Sequence, residues 1–398
     1  MIEAIHTNKK KILMVALILL YAISLAWIAN CTDAQYAVLS KLRLIPFAIL
    51  CLMALDTLVV GIKEKGSFFG YIKDHMVLMV CCVVALIIFL VSHNIQPIIF
   101  IVMLVAIAEF GFDEFIKPVL ITHIVFMITT ITLCKLGFIE QVEIGRNNSD
   151  IIRQSLGYMY PLELHGHFLI IVLMYIYIRK ERYMWAECLG INGINYVLFQ
   201  YSNARTDVIF VFFVSVCALL LTFIKSNWLV KKNCLWVYAI ITIICAIVPF
   251  VMVINFDPTS EFQSNLNHAL SNRLYISNYV VEEEGIPLFG KEMEWIGFGR
   301  TGNNIEETYN WVDMSCIKDT IDYGVVFSVI FTGGWIYMFY DQIKKKNKYG
   351  ILVVMVLMLS CIIEYRSFLP YIYPIILLMA PGIMVENKYL LKVQVIDE

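Results

Sequence analysis

Apolar runs long enough to cross a bilayer recur through the chain, and one long polar stretch breaks their succession. The runs occupy residues 12–30, 44–62, 76–91, 97–110, 118–138, 160–178, 184–201, 208–224, 234–254, 321–340, 351–363 and 369–384. An α-helix rises about 1.5 Å per residue, so about 20 apolar residues match the hydrocarbon core. The pattern predicts an all-α polytopic membrane protein of about 12 transmembrane helices. The fourth and eleventh runs are short, and Glu187, Asn192, Asn195 and Gln200 dilute the seventh. Residues 255–320 form the polar stretch, between the ninth and tenth runs. Connectors beyond about 12–15 residues are uncommon unless they work. This one is read as a large extracytoplasmic loop with short helices, carrying part of an active site on a single integral membrane domain of residues 1–398.

Composition agrees with that reading. The chain is 60% hydrophobic and 16% charged, whereas soluble domains carry about 25% charged residues. The net charge of −2 says nothing about nucleic acid, and no basic block is long enough to suggest such a partner. The first run has no small-residue cleavage site and reads as a span, not a signal peptide. Positive residues stay cytoplasmic. With the N-terminus inside, Lys9, Lys10, Lys11, Lys63, Lys65, Lys73, Lys117, Arg179, Lys180, Arg182, Lys225, Lys231, Lys232, Lys344, Lys345, Lys346, Lys348, Lys388 and Lys392 all fall on the cytoplasmic side, as do both termini. Four polar stretches then face outward, at 140–167, 201–207, 255–320 and 364–367. The eleven cysteines show no C-x-x-C spacing, so no metal site is implied. Cys31 and Cys316 fall in outer loops and read as free thiols, with pairing as the alternative.

The outward stretches hold the candidate chemistry. Arg205 stands at an outer span junction, where a charge is costly unless it meets an anion, a wet cavity or a partner. Its fork suits phosphate oxygens; the other reading is a pair with Asp207 or snorkelling to the surface. Arg273 sits among apolar residues at helical spacing (Leu266, Leu270, Leu274) and is either aimed at a phosphate or solvated on an amphipathic helix. Arg146 and Arg153 precede Glu163, His165 and His167, whose i, i+2, i+4 spacing suits one helical metal face poorly. Asp313 is placed to act as a general base for a hydroxyl or to cap the helix that follows, and one residue can do both. Trp295, Trp311, Tyr275 and Tyr309 supply aromatic faces. The chain has no Walker A loop and no G-x-G-x-x-G after a strand, so no nucleotide cofactor is expected. It shows no internal repeat, which argues against a secondary transporter.

In this order and spacing the motifs resemble those of the bacterial polysaccharide repeat-unit polymerases (the Wzy family) within the O-antigen ligase and polymerase superfamily. Leu156-Gly157-Tyr158-Met159-Tyr160-Pro161 is similar to the family's LGF-x-x-P stretch, with Leu162 where asparagine is frequent. Tyr201-Ser202-Asn203-Ala204-Arg205 is similar to its S-x-x-R element. Leu270-Ser271-Asn272-Arg273 with Pro287-Leu288-Phe289-Gly290 resembles its arginine-bearing helix and following turn. Asp313-Met314-Ser315 with Tyr323-Gly324 resembles its (D/H)-N-S and Y-G pattern, with Met314 in the asparagine's place. The resemblance implies glycosyl transfer from undecaprenyl-pyrophosphate-linked repeats on the outer face of the bacterial cytoplasmic membrane. Arg205, Arg273 and Asp313 would be catalytic; Arg146, Arg153, His165, Tyr275, Trp295 and Trp311 would bind substrate; no metal or cofactor would take part. Expected partners are lipid-linked oligosaccharides, the bilayer, and a flippase and chain-length regulator of the same pathway. The alternatives are an O-antigen ligase, in which histidine usually stands where Asp313 does, and a flippase for lipid-linked glycan.

Overall fold

The computed structural model describes residues 2–145, 151–297, 309–366 and 368–383. The first half of the chain forms α1 (Ile2–Ser24), α2 (Asp33–Leu42), α3 (Leu44–Lys65), α4 (Phe68–Asp74), α5 (Met76–Ser92), α6 (Gln96–Ala108) and α7 (Phe112–Lys135). A small hairpin, β1 (Glu143–Gly145) with β2 (Ile152–Gln154), is followed by α8 (Pro161–Arg179), α9 (Trp185–Ser202), α10 (Arg205–Phe223) and α11 (Cys234–Ile254). The expected loop holds α12 (Glu261–Ala269), α13 (Arg273–Glu284) and the start of α14 (Ser315–Tyr323). After it come α15 (Val325–Lys344), α16 (Lys348–Ile363) and α17 (Ala380–Ile383).

Sequence punctuation accounts for the breaks. Thr32 and Gln35 form a capping box that starts α2 as a separate helix. Pro97 and Pro161 open α6 and α8 at a position where proline's missing N–H costs nothing. Gly324, at φ +91°, ends α14 and turns the chain into α15.

Among the described residues, six helical segments are long and apolar enough to cross a membrane: Lys9–Ile28, Asp33–Lys63, Phe112–Lys135, Pro161–Arg182, Arg205–Phe223 and Cys234–Ile254. The bent pair α4–α5, with 94° between its halves, makes a seventh if counted as one span. Those helices fix the class as an all-α membrane protein. The fourth and eleventh runs form helices of 13 and 16 residues, both shorter than a span. The last run, 369–384, departs from the expected helix. Pro370 and Pro374 interrupt it, and its described part is a short 3₁₀ turn (Pro374–Met379) followed by α17. Proline removes a backbone donor and clashes with the preceding turn, so apolar content alone does not make a helix there.

Burial sorts the bundle. In α8, 78% of the membrane-length window is buried, against 22% in α11. α8 and α16 form the middle: they pack on each other, α8 also against α7, α9 and α10, and α16 against α10, α11 and α15. The peripheral helices expose Val83, Leu90, Ile209, Phe212, Trp236 and Ile240. Apolar side chains gain about 25 cal/mol per Å² on leaving water, so these outward faces suit lipid.

The loop is tied back to the bundle where two of the sequence motifs meet. Val325 N–H donates to the Pro287 carbonyl (3.0 Å), Val326 N–H to Leu288 (3.2 Å), and Lys291 N–H to Ile321 (3.0 Å). Gly290 and Gly324 both have positive φ, and a Cβ on either would run into the other segment's backbone. Gly324→Ala should therefore cost more than about 2 kcal/mol, from left-handed strain and overpacking together. A thermal-melt comparison checks it, and an unshifted melting temperature would contradict this close approach.

Candidate functional site

Arg273 opens α13 immediately after Ser271 and Asn272, both in the left-handed conformation (φ 57° and 65°). That turn reverses the chain between α12 and α13 and lets Arg273 reach beneath the loop. Leu274, Val280, Val312, Met314, Ile317 and Ile321 pack with Val253 of α11 into a small apolar core that holds the loop down. At its edge the Arg273 side chain is only 11% exposed.

Two carboxylates from distant parts of the chain share this guanidinium. Arg273 Nε donates to Asp313 Oδ2 at 3.0 Å, and a terminal nitrogen donates to Glu364 Oε1 at 2.7 Å. Asp313 lies in the extended segment before α14, and Glu364 directly follows α16. Ser315 stitches the two together. Its hydroxyl donates to the Glu364 carbonyl (2.7 Å) and accepts from the Arg366 N–H (2.9 Å).

Two residues beyond Glu364, Arg366 makes a bidentate pair with Asp207 in the first turn of α10, at 2.5 and 2.7 Å. Both side chains are almost fully buried. The guanidinium lies against Gly166 of α8, where a Cβ would come within 2.7 Å of it. Glycine at this position leaves room for the planar fork. Beside this cluster Arg153 donates a long bond to the Tyr160 hydroxyl (3.4 Å) and sits 5.7 Å from its ring centre.

Burial and charge set the proton affinities. Burial pushes the Glu364 carboxyl up to about 7, against the pull of Arg273 and Arg366. Burial opposes the charge on Arg273, but Glu364 and Asp313 outweigh it and the pKa is raised. Tyr309 is also raised, by burial and then by Asp313. A carboxyl raised in the folded state contributes stability at low pH that is lost as pH rises through its folded value. Stability should therefore fall between about pH 4.5 and 7 by a component that Glu364→Gln removes. Chemical denaturation of both proteins across that window checks it; equal slopes would contradict it.

The other expected site residues are dispersed. Arg205 is exposed at the start of α10, and Asp207 pairs with Arg366 instead of with it. His165 is buried, hydrogen-bonded to Asn195 Oδ1 (2.7 Å) and Ser202 Oγ (3.1 Å), and joins α8 to α9. His167 turns elsewhere, to Tyr158 (2.7 Å) and His123 (2.9 Å). Glu163, His165 and His167 therefore do not converge, and among the described residues no three metal-type ligands do. Tyr275 is exposed on α13, edge-on to Phe256. Trp295 and Trp311 direct their rings at the Lys318 ammonium. Arg146 lies outside the described residues. Cys31 and Cys316 form no disulfide.

Glu364 and Arg366 complete the cluster, yet sequence reasoning marked them only as a short outward loop. The signal was there: a Glu-x-Arg pair at the end of an apolar run has to be matched to some counter-charge.

Fold and site together define a helical membrane protein with a buried arginine–carboxylate cluster beneath a polar loop. No family model, curated protein or solved structure matches the chain.

Proposed function

We propose that this protein is a membrane glycosyltransferase that polymerises oligosaccharide repeat units carried on undecaprenyl pyrophosphate. It works at the outer face of the bacterial cytoplasmic membrane, with both termini inside. The observation that carries the reading is Arg273 poised between Asp313 and Glu364, next to the Arg366–Asp207 pair. Such a cluster, largely shielded from water, can exchange a carboxylate partner for a phosphate.

The proposed reaction uses these groups in an ordered way. The acceptor sugar hydroxyl attacks the anomeric carbon of the donor repeat. A new C–O bond forms as the bond to the lipid pyrophosphate breaks, and the electron pair leaves with the phosphate. Arg273, with Arg205 at the rim, neutralises that growing charge, which is the largest contribution fixed dipoles and charges make to such steps. Asp313, half-exposed and oriented by Arg273, takes the hydroxyl proton. Arg153 and the exposed ring of Tyr275 belong to the substrate-binding rim in this scheme, and Arg146 is assigned substrate binding from the sequence motif alone.

The distribution of charge elsewhere supports an enzyme over a flippase. Asp56 and Glu109 are both held by Lys9 (2.8 and 3.7 Å), and Glu187 by Arg179 (2.7 Å). These acids within the apolar runs are thus matched locally instead of lining a central path. The test is reconstitution of the purified protein with a lipid-linked repeat. Ladders of two or more repeats, with release of lipid pyrophosphate, are expected; unchanged single repeats would overturn the reading.

A further inference from the structure

Lys318 of α14 is a buried cation enclosed by aromatic faces. Its ammonium lies 3.2 Å from the Trp295 ring centre, 4.6 Å from Trp311 and 5.1 Å from Tyr365. The side chain is 3% exposed, and its ion pair to Asp322 Oδ2 is long, at 3.5 Å. Nζ makes no hydrogen bond. The cage is itself braced: Trp295 Nε1 donates to Asp322 Oδ1 (2.7 Å), and Trp311 meets Tyr365 edge to face.

Two of the three walls belong to segments that build the arginine–carboxylate cluster. Trp311 lies two residues before Asp313. Tyr365 lies between Glu364 and Arg366. Lys318 sits one turn along from Ser315, whose hydroxyl bonds to backbone on both sides of Tyr365. Trp295 comes from the loop above. A single ammonium therefore ties together the segment of one carboxylate, the turn of the other, and the loop that covers both.

We propose that Lys318 is a positioning residue: its caged ammonium sets the 309–313 segment and the 364–366 turn so that Asp313 and Glu364 both reach Arg273. Its effect on catalysis rests on the polymerase reading; its effect on the geometry of the cluster does not. Attraction between a cation and an aromatic face is strongest when both are out of water, as here. The charge is also conditional. Burial lowers the Lys318 pKa to about 7, against Asp322 and Asp319 on its own helix and Asp313 on the preceding segment. The cage is closed while the ammonium is present and slackens as pH rises through that value.

The test compares full-length wild type, Lys318→Met and Lys318→Arg in lipid nanodiscs. Met keeps the shape without charge; Arg keeps a charge that does not titrate near neutrality. Backbone hydrogen exchange at Asn310–Asp313 and Glu364–Arg366 is expected to rise about tenfold in Lys318→Met, to stay near wild type in Lys318→Arg, and to be unchanged in α1 and α8. Tryptophan emission of the wild type should shift across about pH 7, and the shift should be missing from both variants. Wild-type exchange in a folded Lys318→Met protein would overturn the proposal. If that variant does not fold, persistence of the emission shift in Lys318→Arg would overturn it instead. Altered exchange in Lys318→Met beside a wild type that makes no polymer would sink the polymerase reading and leave the positioning role standing.

Discussion

Arg273→Ala is expected to abolish long polymer while the protein still inserts and accumulates in the membrane. Two effects act in the same direction. The variant loses the guanidinium that would meet the leaving pyrophosphate, and groups of this kind are worth about 10²–10³ in rate. It also leaves Asp313 and Glu364 facing each other without their shared cation, so one carboxyl is driven to bind a proton. Asp313 also loses the 3.0 Å contact that orients it toward the sugar hydroxyl. Arg273→Lys should recover little, because one ammonium cannot reproduce two bonds from a planar fork. Arg205→Ala is expected to lose long polymer too, through substrate contact alone, since Arg205 is exposed at the rim. Gel profiles of the lipid-linked glycan, beside immunoblots of the membrane fraction, check both variants. Normal chain lengths from both would remove the phosphate clamp from the account.

Arg366→Met is expected to be the most destabilising change in the cluster. Asp207 is buried, and without Arg366 its charge has no matched partner. Removing one member of a buried pair costs about 3–5 kcal/mol, whereas removing both is far milder. Arg366→Met should therefore lower the thermal midpoint sharply. Arg366→Met combined with Asp207→Leu should recover most of the loss, yet it should not restore polymer if the turn at Glu364 is displaced. A double-mutant cycle on melting temperature makes the comparison. Additive losses would show that the two side chains do not act as a pair.

How much was legible in the sequence depended on the range of the interaction. Hydropathy marked the apolar helices, because a membrane-length run announces itself locally. It failed at residues 369–384, where prolines override apolar content, and it could not foresee the helix break at Gly324. Polarity marked residues 255–320 as the segment that matters, and Arg273 and Asp313 stood out there as charged residues in patterned surroundings. Their pairing was not legible, since nothing in a one-dimensional pattern brings residues 40 positions apart within 3.0 Å. Glu364 and Arg366 were harder still: their partners lie 91 and 159 positions away. Trp295 and Trp311 read as free faces for sugar rings, because sequence shows an aromatic ring without showing what already covers it. Lys318 passed as an ordinary lysine for the same reason.

The account turns on what happens to single repeats, and one measurement addresses that directly: the size and sidedness of lipid-linked glycan in cells lacking this gene. Single repeats accumulating on the outer leaflet, with long polymer restored by the wild-type gene and not by Arg273→Ala, are the result the account predicts. Polymer of normal length stranded on its lipid, or single repeats trapped at the cytoplasmic face, would contradict it.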